Sequence, residues 1–500
     1  MELPQEYLFF NILIYNLFLL YIMFKYHKQH ALNMSDGFKK FDYYYREIVQ
    51  KEYWYTFYRD VLPKDKKRLL KLENIKKRKT KLFEDFRDET ELFQKPTYEE
   101  TIISEKIQNE LNSANPKISK LEGEYMDNLK ECKISCAEYM KNIKSDDENI
   151  RENAYKLFMR PCAKNKDILK DIVKIRNIIA ANKGYKSWGN MRLRCSMAKT
   201  PDIVKTFLYD LSDKYDKIFN EEIKGFGLKE VHAWDLSRLT NKHSNFKISL
   251  DDALEGLMTK ISELFDLKFI QVEEKTWNQH VATYEVYCGG MFYGKFYLDL
   301  LERNNKIKRA ACYPLNIGNA KNRPVTALVC SFSKELNKQQ HTTLYHEFGH
   351  LIHCMCSFTK YSFLQGLRTE WDFVEAPSQA LENLVNERKY PGIFYKKQIM
   401  LSLTDILIHE GLNPDKAYMT AQKEIYKGRI EVDDEFPTRF SHLVCGYDSQ
   451  YYSYIWSLHY SNILYKAILK DPIKYRDIVL KPGGSIDAVS IMNNIKQLFN

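Results

Sequence analysis

From about residue 35 to residue 265, apolar positions recur at spacings of three and four, with charged residues between them. That period belongs to amphipathic helices. Between residues 268 and 333 the pattern changes. FIQVEE, ATYEVYCGG, KFYLDLL, RAACYPL and TALVCSF are short runs rich in β-branched and aromatic residues, with Gly289, Gly290, Gly294, Asn304 and Asn305 between them. They predict a small antiparallel sheet of about five strands. Helical spacing returns near Lys334 and continues to the end, broken at Pro391-Gly392, Asn413-Pro414, Pro437 and Pro482-Gly483-Gly484. Pro96 and Pro116 punctuate the N-terminal helices. The expected fold class is therefore mainly α with one small sheet, and there is no internal repeat.

Tyr7 to Phe24 reads YLFFNILIYNLFLLYIMF, a stretch without a charge. As a helix it would span about 27 Å, just enough for a bilayer core. Lys25, Lys28, Lys39 and Lys40 follow it, so an anchor here would leave the rest of the chain on the cytoplasmic side. Asn11 and Asn16 favour the competing reading, a buried core helix. A cleaved signal peptide fits poorly, because Glu2 and Glu6 lead and no small-residue cleavage site follows.

Hydrophobic residues make up 44% and charged residues 28% of the 500, which excludes a disordered or collagen-like chain. The net charge of +10 is small for this length and does not argue for a nucleic-acid binder. The basic run KDKKRLLKLENIKKRKTK, Lys64 to Lys81, keeps Leu69, Leu72 and Ile75 at helical spacing, so it reads as a solvated helix face. The 10 cysteines are scattered and form no repeated CxxC pair. They predict reduced thiols in an intracellular protein rather than a cysteine metal site.

The chemistry concentrates in TTLYHEFGHLIHCMC. On a helix His346 and His350 share a face one turn apart. Both imidazoles can reach one Zn²⁺ at about 2.0–2.1 Å. Glu347 lies about 100° round the helix, where a carboxylate can act on water beside the metal. Gly349 removes a side chain where another element can pack close. His353 falls on nearly the same face but about 10 Å from His346 along the axis, too far for one ion, and is expected to pack or hydrogen-bond in the core. A third ligand is needed. The extended HExxHxxGxxH pattern fails, because His353 and Cys356 stand at its Gly and His positions. In TEWDFVEAPSQALENLVNE, Glu375 opens a helical pattern at Pro377, and Glu370, Glu382 and Glu387 are rivals that spacing cannot separate. Ser378 and Gln379 lie three and four residues past Glu375, in reach of supporting it or facing the core. FSHLVCGYDSQYYSYIW brings His442, Gly446, Tyr447, Tyr451 and Tyr454 together. Beside a metal, phenol and imidazole donors could bind an oxyanion. Alone, the tyrosines would read as an aromatic core stripe.

At these residues the chain resembles the thimet oligopeptidase/neurolysin family of zinc oligopeptidases. The resemblance covers roughly residues 150–500 and rests on AWDL (233–236), GKFYLDL (294–300), YHEFGHLIH, DFVEAPSQALEN, HLVCGYDSQYYSYIW and LKPGGS. It implies one Zn²⁺ held by His346, His350 and Glu375, with Glu347 as general base. It assigns catalytic roles to His442, Tyr447 and Tyr454, and substrate binding to Tyr451 and Gly446. It further implies a two-lobed helical fold with a deep central channel that admits short unstructured peptides, and a monomer. The expected division is a hydrophobic segment at 1–30, a helical lobe at 31–265 and a catalytic zinc-peptidase region at 266–500. The expected activity is metalloendopeptidase hydrolysis of short peptides, the alternative being a peptide-binding protein with little turnover. An aminopeptidase fits less well, since no GxMEN-type segment precedes HExxH. Three departures stand out: a shorter N-terminal helical region, a shortened stretch between Glu382 and Phe394, and Ser441 and Cys445 where the family usually has glycine.

Overall fold

The computed structural model describes residues 34–61, 66–90, 98–113, 115–130, 133–160, 162–227, 230–237, 246–304, 306, 308–385 and 390–499. The segment Tyr7–Phe24, together with Pro96, Asn305 and Glu387, lies outside the described residues. Among the described residues no helix is long and apolar enough to cross a membrane.

The helices are α1 (Met34–Val61), α2 (Lys66–Thr90), α3 (Tyr98–Ser113), α4 (Pro116–Asn128), α5 (Cys136–Asn142), α6 (Glu148–Met159), α7 (Lys164–Asn182), α8 (Trp188–Arg192), α9 (Pro201–Gly225), α10 (Leu250–Phe265), α11 (Lys338–Cys356), α12 (Glu375–Glu382), α13 (Gly392–His409), α14 (Pro414–Tyr426), α15 (Ser453–Lys470), α16 (Pro472–Tyr475) and α17 (Ala488–Phe499). Their starts are chemically marked. Pro116 occupies the first turn of α4 behind Asn115, whose side chain accepts from the Lys117 and Ile118 amides. Thr200 and Pro201 open α9 in the same way. Such caps satisfy amides that have no partner inside the helix. The basic run lies largely on α2, where Lys71, Lys76, Lys77 and Lys81 are exposed, as a solvated face requires.

The strands are β1 (Lys247–Ser249), β2 (Lys268–Val272), β3 (Ala282–Cys288), β4 (Met291–Leu301), β5 (Ala311–Asn316), β6 (Val325–Phe332) and β7 (Glu335–Asn337). β1 and β7 form a separate pair. The other five strands are those the sequence predicts, but their sheet is not wholly antiparallel. The order is β2-β3-β4-β6-β5, and β4 runs parallel to β6. Burial explains this correction. β6 is buried along nearly its whole length, whereas β5 alternates, so the more apolar strand takes the inner place. The β5–β6 hairpin then folds back with β5 at the edge.

One hydrophobic cluster runs from Ile118 on α4 to Ile495 on α17 and joins the sheet to the helices around it. α11 lies against the sheet. Phe348 meets Phe269 of β2 and Phe296 of β4 with ring centroids 6.0 Å away in each case. Gly294 is small for a reason: a Cβ there would sit 2.9 Å from Met355 Sδ of α11 and 2.7 Å from the Pro324 carbonyl oxygen. A second cluster docks α1–α3 onto the segment after α11, with Phe41, Phe83 and Phe86 packed towards Tyr361 and Phe363. Asp42 fastens it by accepting the Phe363 amide at 3.1 Å.

Candidate metal centre

α11 begins with a reciprocal cap. Asn337 accepts from the Gln340 amide, and the Gln340 side chain returns to the Asn337 amide. The helix so anchored carries His346 and His350 on one face, with Glu347 about 100° round from His346. α12 begins at Glu375 and crosses close to it. A Cβ on Gly349 would lie 2.7 Å from Ser378 Cα, so glycine is what lets the two helices approach.

Three donor atoms converge there. His346 Nε2 and His350 Nε2 are 3.2 Å apart, and each is 3.1 Å from Glu375 Oε2. Glu382, two turns after Glu375 on α12, takes the other ring nitrogen of His346, with Nδ1 to Oε1 at 2.5 Å. That contact leaves a lone pair on Nε2. Ligands held at about 2.0–2.1 Å in a tetrahedron lie about 3.3–3.4 Å from one another, so the observed triangle fits a zinc-sized ion. Burial disfavours protonation of His346, but hydrogen bonds and charge from Glu375 and Glu382 raise its pKa overall. The Glu375 carboxyl resists burial in the same manner and is held low by His350 and His346. Electron-rich atoms packed this closely without a cation must share protons, and a divalent ion removes that need.

Glu347 is turned elsewhere. Burial raises its pKa, the two histidines lower it, and the Cys312 amide of edge strand β5 hydrogen-bonds its carboxylate. Ser378 Oγ lies 3.2 Å from Glu375 Oε2, while Gln379 Oε1 is buried without a hydrogen-bond partner. Of the rival carboxylates, Glu370 instead accepts the Ala488 amide. His353 is fully buried, neither ring nitrogen has a partner, and burial pushes its pKa down to about 3. It packs and does not join the triad.

The segment from Ser441 to Tyr454 brings the aromatic donors alongside. The His442 ring is 5.4 Å from Tyr447, 5.0 Å from Tyr451 and 5.9 Å from Tyr454 between centroids. Tyr447 and Tyr454 stack at 5.2 Å, and burial together with the Glu375 charge raises both phenol pKa values. Tyr451 differs. It is buried, its hydroxyl donates to Gln398 Oε1 at 3.2 Å, and its pKa is pushed up to about 12, chiefly by burial. Burial lowers the pKa of His442, which favours the neutral ring. Gly446 is exposed with φ +91°. Trp371, which the sequence did not single out, is exposed beside the site with its ring 5.2 Å from Tyr447.

A helix bearing HExxH, backed by a sheet and met by a carboxylate from the next helix, has the layout of a candidate metal site of the HExxH class. The chain belongs to peptidase family M3, whose description matches residues 142–391 and 388–498. It is 28% identical to a thimet-like oligopeptidase of Dictyostelium discoideum, over 66% of this chain and 62% of that protein. It is 27% identical to saccharolysin of Saccharomyces cerevisiae, over 69% of this chain and 61% of that protein. The chain thus spans about three fifths of the length of these curated relatives. Its fold is similar to that of a Pyrococcus furiosus carboxypeptidase, with a TM-score of 0.55 at 11% identity, over 94% of this chain and 100% of the other.

Proposed function

We propose that this chain is a zinc-dependent metalloendopeptidase of short unstructured peptides. The observation that carries the reading is the triangle of His346, His350 and Glu375 donor atoms with Glu347 on the same helix. Two imidazoles and a carboxylate are a donor set suited to one catalytic Zn²⁺ per chain. When bound, zinc supplies a Lewis acid that acidifies water and polarises a carbonyl. Glu347 takes the proton from the attacking water and delivers it to the leaving amine nitrogen. Tyr447 or Tyr454, with His442, donates to the oxygen that gains charge when the scissile carbonyl becomes tetrahedral. Tyr451 and Gly446 contact the peptide, the glycine allowing the backbone of its loop to adjust. Free cysteines among the described residues suit a reducing, cytoplasmic setting.

The same reading holds that a helical lobe, residues 31–265, faces the catalytic region, 266–500, across a channel. It also holds that the chain acts as a monomer. The second reading is a peptide-binding protein with little turnover.

The test is hydrolysis of an internally quenched, N-blocked peptide by the zinc-loaded chain, with and without a chelator, beside Glu347→Gln. Internal cleavage that chelation abolishes is expected. The variant should keep zinc and peptide binding and lose turnover. Normal turnover by Glu347→Gln, or no cleavage of any peptide by folded, zinc-loaded protein, would overturn the reading.

A further inference from the structure

The loop that carries the tyrosines holds an unfavourable backbone. Ser449 is left-handed, with φ +61°, although it is not glycine, and it is fully buried. L-residues other than Gly, Asn and Asp rarely adopt that conformation, and it persists only where the surroundings over-determine it. Here a buried carboxylate supplies the restraint. Asp405 on α13 is fully buried, and its two oxygens accept the Ser449 and Tyr451 amides, each at 3.0 Å.

Behind Asp405 the restraint continues through a chain of buried groups. His409 Nδ1, one turn along α13, lies 2.9 Å from the Asp405 carboxylate and 3.0 Å from its carbonyl oxygen. Arg176 Nη1 of α7 lies 2.7 Å from His409 Nε2. A guanidinium only donates, so Nε2 accepts, and the ring is the neutral Nδ1–H tautomer pointing its proton at Asp405. The same Arg176 nitrogen donates to the Leu443 carbonyl at 2.7 Å. Asp448 completes the hold, accepting from Trp188 Nε1 at 2.7 Å and pairing with Arg192 at 2.9 Å. Two of the donors proposed for the oxyanion, His442 and Tyr447, therefore sit next to an anchored residue, and the peptide-contacting Tyr451 is anchored too. Leu443 follows His442, Asp448 follows Tyr447, and the Tyr451 amide is itself held.

We propose that Asp405, backed by His409 and Arg176, is the positioning residue that fixes the Ser441–Tyr452 loop so that His442 and Tyr447 meet the reacting carbonyl. None of the three belongs to the metal triad or to the aromatic cluster facing it. They act through the loop. The inference rests on the endopeptidase reading above.

Asp405→Asn tests it, because the change keeps shape and removes one acceptor from the pair of amides. The full-length chain is loaded with zinc, and its metal content is measured before assay on the quenched peptide. The expected result is a fall in kcat of about 10–100-fold, the cost of a donor displaced by about an ångström. KM should stay within about threefold and zinc content should be unchanged, the signature of an interaction made chiefly in the transition state. Amide exchange at Ser449 and Tyr451 should accelerate while exchange in α11 does not. Arg176→Lys provides the second variant. It keeps the charge but draws the donor back from His409 and Leu443, which one guanidinium nitrogen holds together, so the same kcat loss is expected if Asp405→Asn does not fold. Unchanged kcat in either folded variant overturns the inference and leaves the endopeptidase reading standing. Absence of cleavage by the zinc-loaded wild-type chain ends both.

Discussion

A carboxylate on the far side of His346 decides which of its nitrogens is available. Glu382 grips Nδ1, and so Nε2 faces His350 and Glu375 with a lone pair. Partners of this kind fix the ring and raise its basicity. Glu382→Gln keeps the side-chain shape but replaces the charge that attracts the Nδ1 proton. Zinc affinity, measured by competition with a chromophoric chelator, should fall about 10–100-fold, with most turnover recovered at saturating zinc. Unchanged affinity would mean that the contact matters only in the metal-free chain. The sequence placed Glu382 among the rival ligands. The signal for its actual place was present, since seven residues bring a helical side chain back to nearly the same face as Glu375.

At the scale of elements, the site depends on how closely α11 and α12 approach. Gly349 makes that approach, and an alanine there would press on Ser378 Cα, a backbone atom that cannot turn aside. Gly349→Ala should lower stability by about 1–3 kcal/mol, read as a shift of the urea midpoint. It should also weaken zinc binding, because the clash lies between the helix holding the two histidines and the helix holding Glu375. A variant of wild-type stability and affinity would show that the helices have slack. Much at this scale was legible beforehand. Each of the five main strands falls on a run of β-branched and aromatic residues, and the breaks at Pro391, Pro414 and Pro482 stand between helices or at their starts. Strand order was not legible, because it depends on which of β5 and β6 wins the interior, a competition between two apolar runs. The i, i+4 spacing of His346 and His350 carried the centre of the site. Glu375 needed more than spacing: the resemblance singled it out from Glu370, and in the fold it is Glu375 that lies beside the two histidines while Glu370 accepts the Ala488 amide.

Across the whole molecule, buried charge ties distant segments together. Asp448 draws on Arg176 of α7 and Arg192 of α8, with Trp188 adding a hydrogen bond. No local pattern reveals such a set, whose members are scattered over more than 270 residues. Burial alone would raise the Asp448 pKa, but the charges of Arg176 and Arg192 hold it far below the usual carboxylate range. The folded chain therefore binds this proton less readily than the unfolded chain, and the carboxylate stabilises the fold wherever it is ionised. Wild type should be more stable than Asp448→Asn at neutral pH. That gap should narrow as pH falls below about 4, where the unfolded chain takes up the proton first. Urea titrations of both proteins across that range measure the gap, and a gap that widens towards acid contradicts the assignment.

The separation between the two halves of the site also bears on how the chain assembles. His346, His350 and Glu375 lie within thirty residues, on two successive α-helices. The hold on the tyrosine loop joins Arg176 to Leu443 and Asp405 to Ser449. Closing a long loop costs more entropy than closing a short one, and contacts between distant residues come late in folding. The ligand helices can therefore form and seat an ion while the far loop is still unplaced. During its own synthesis the chain completes its candidate metal ligands before the loop proposed to act beside them.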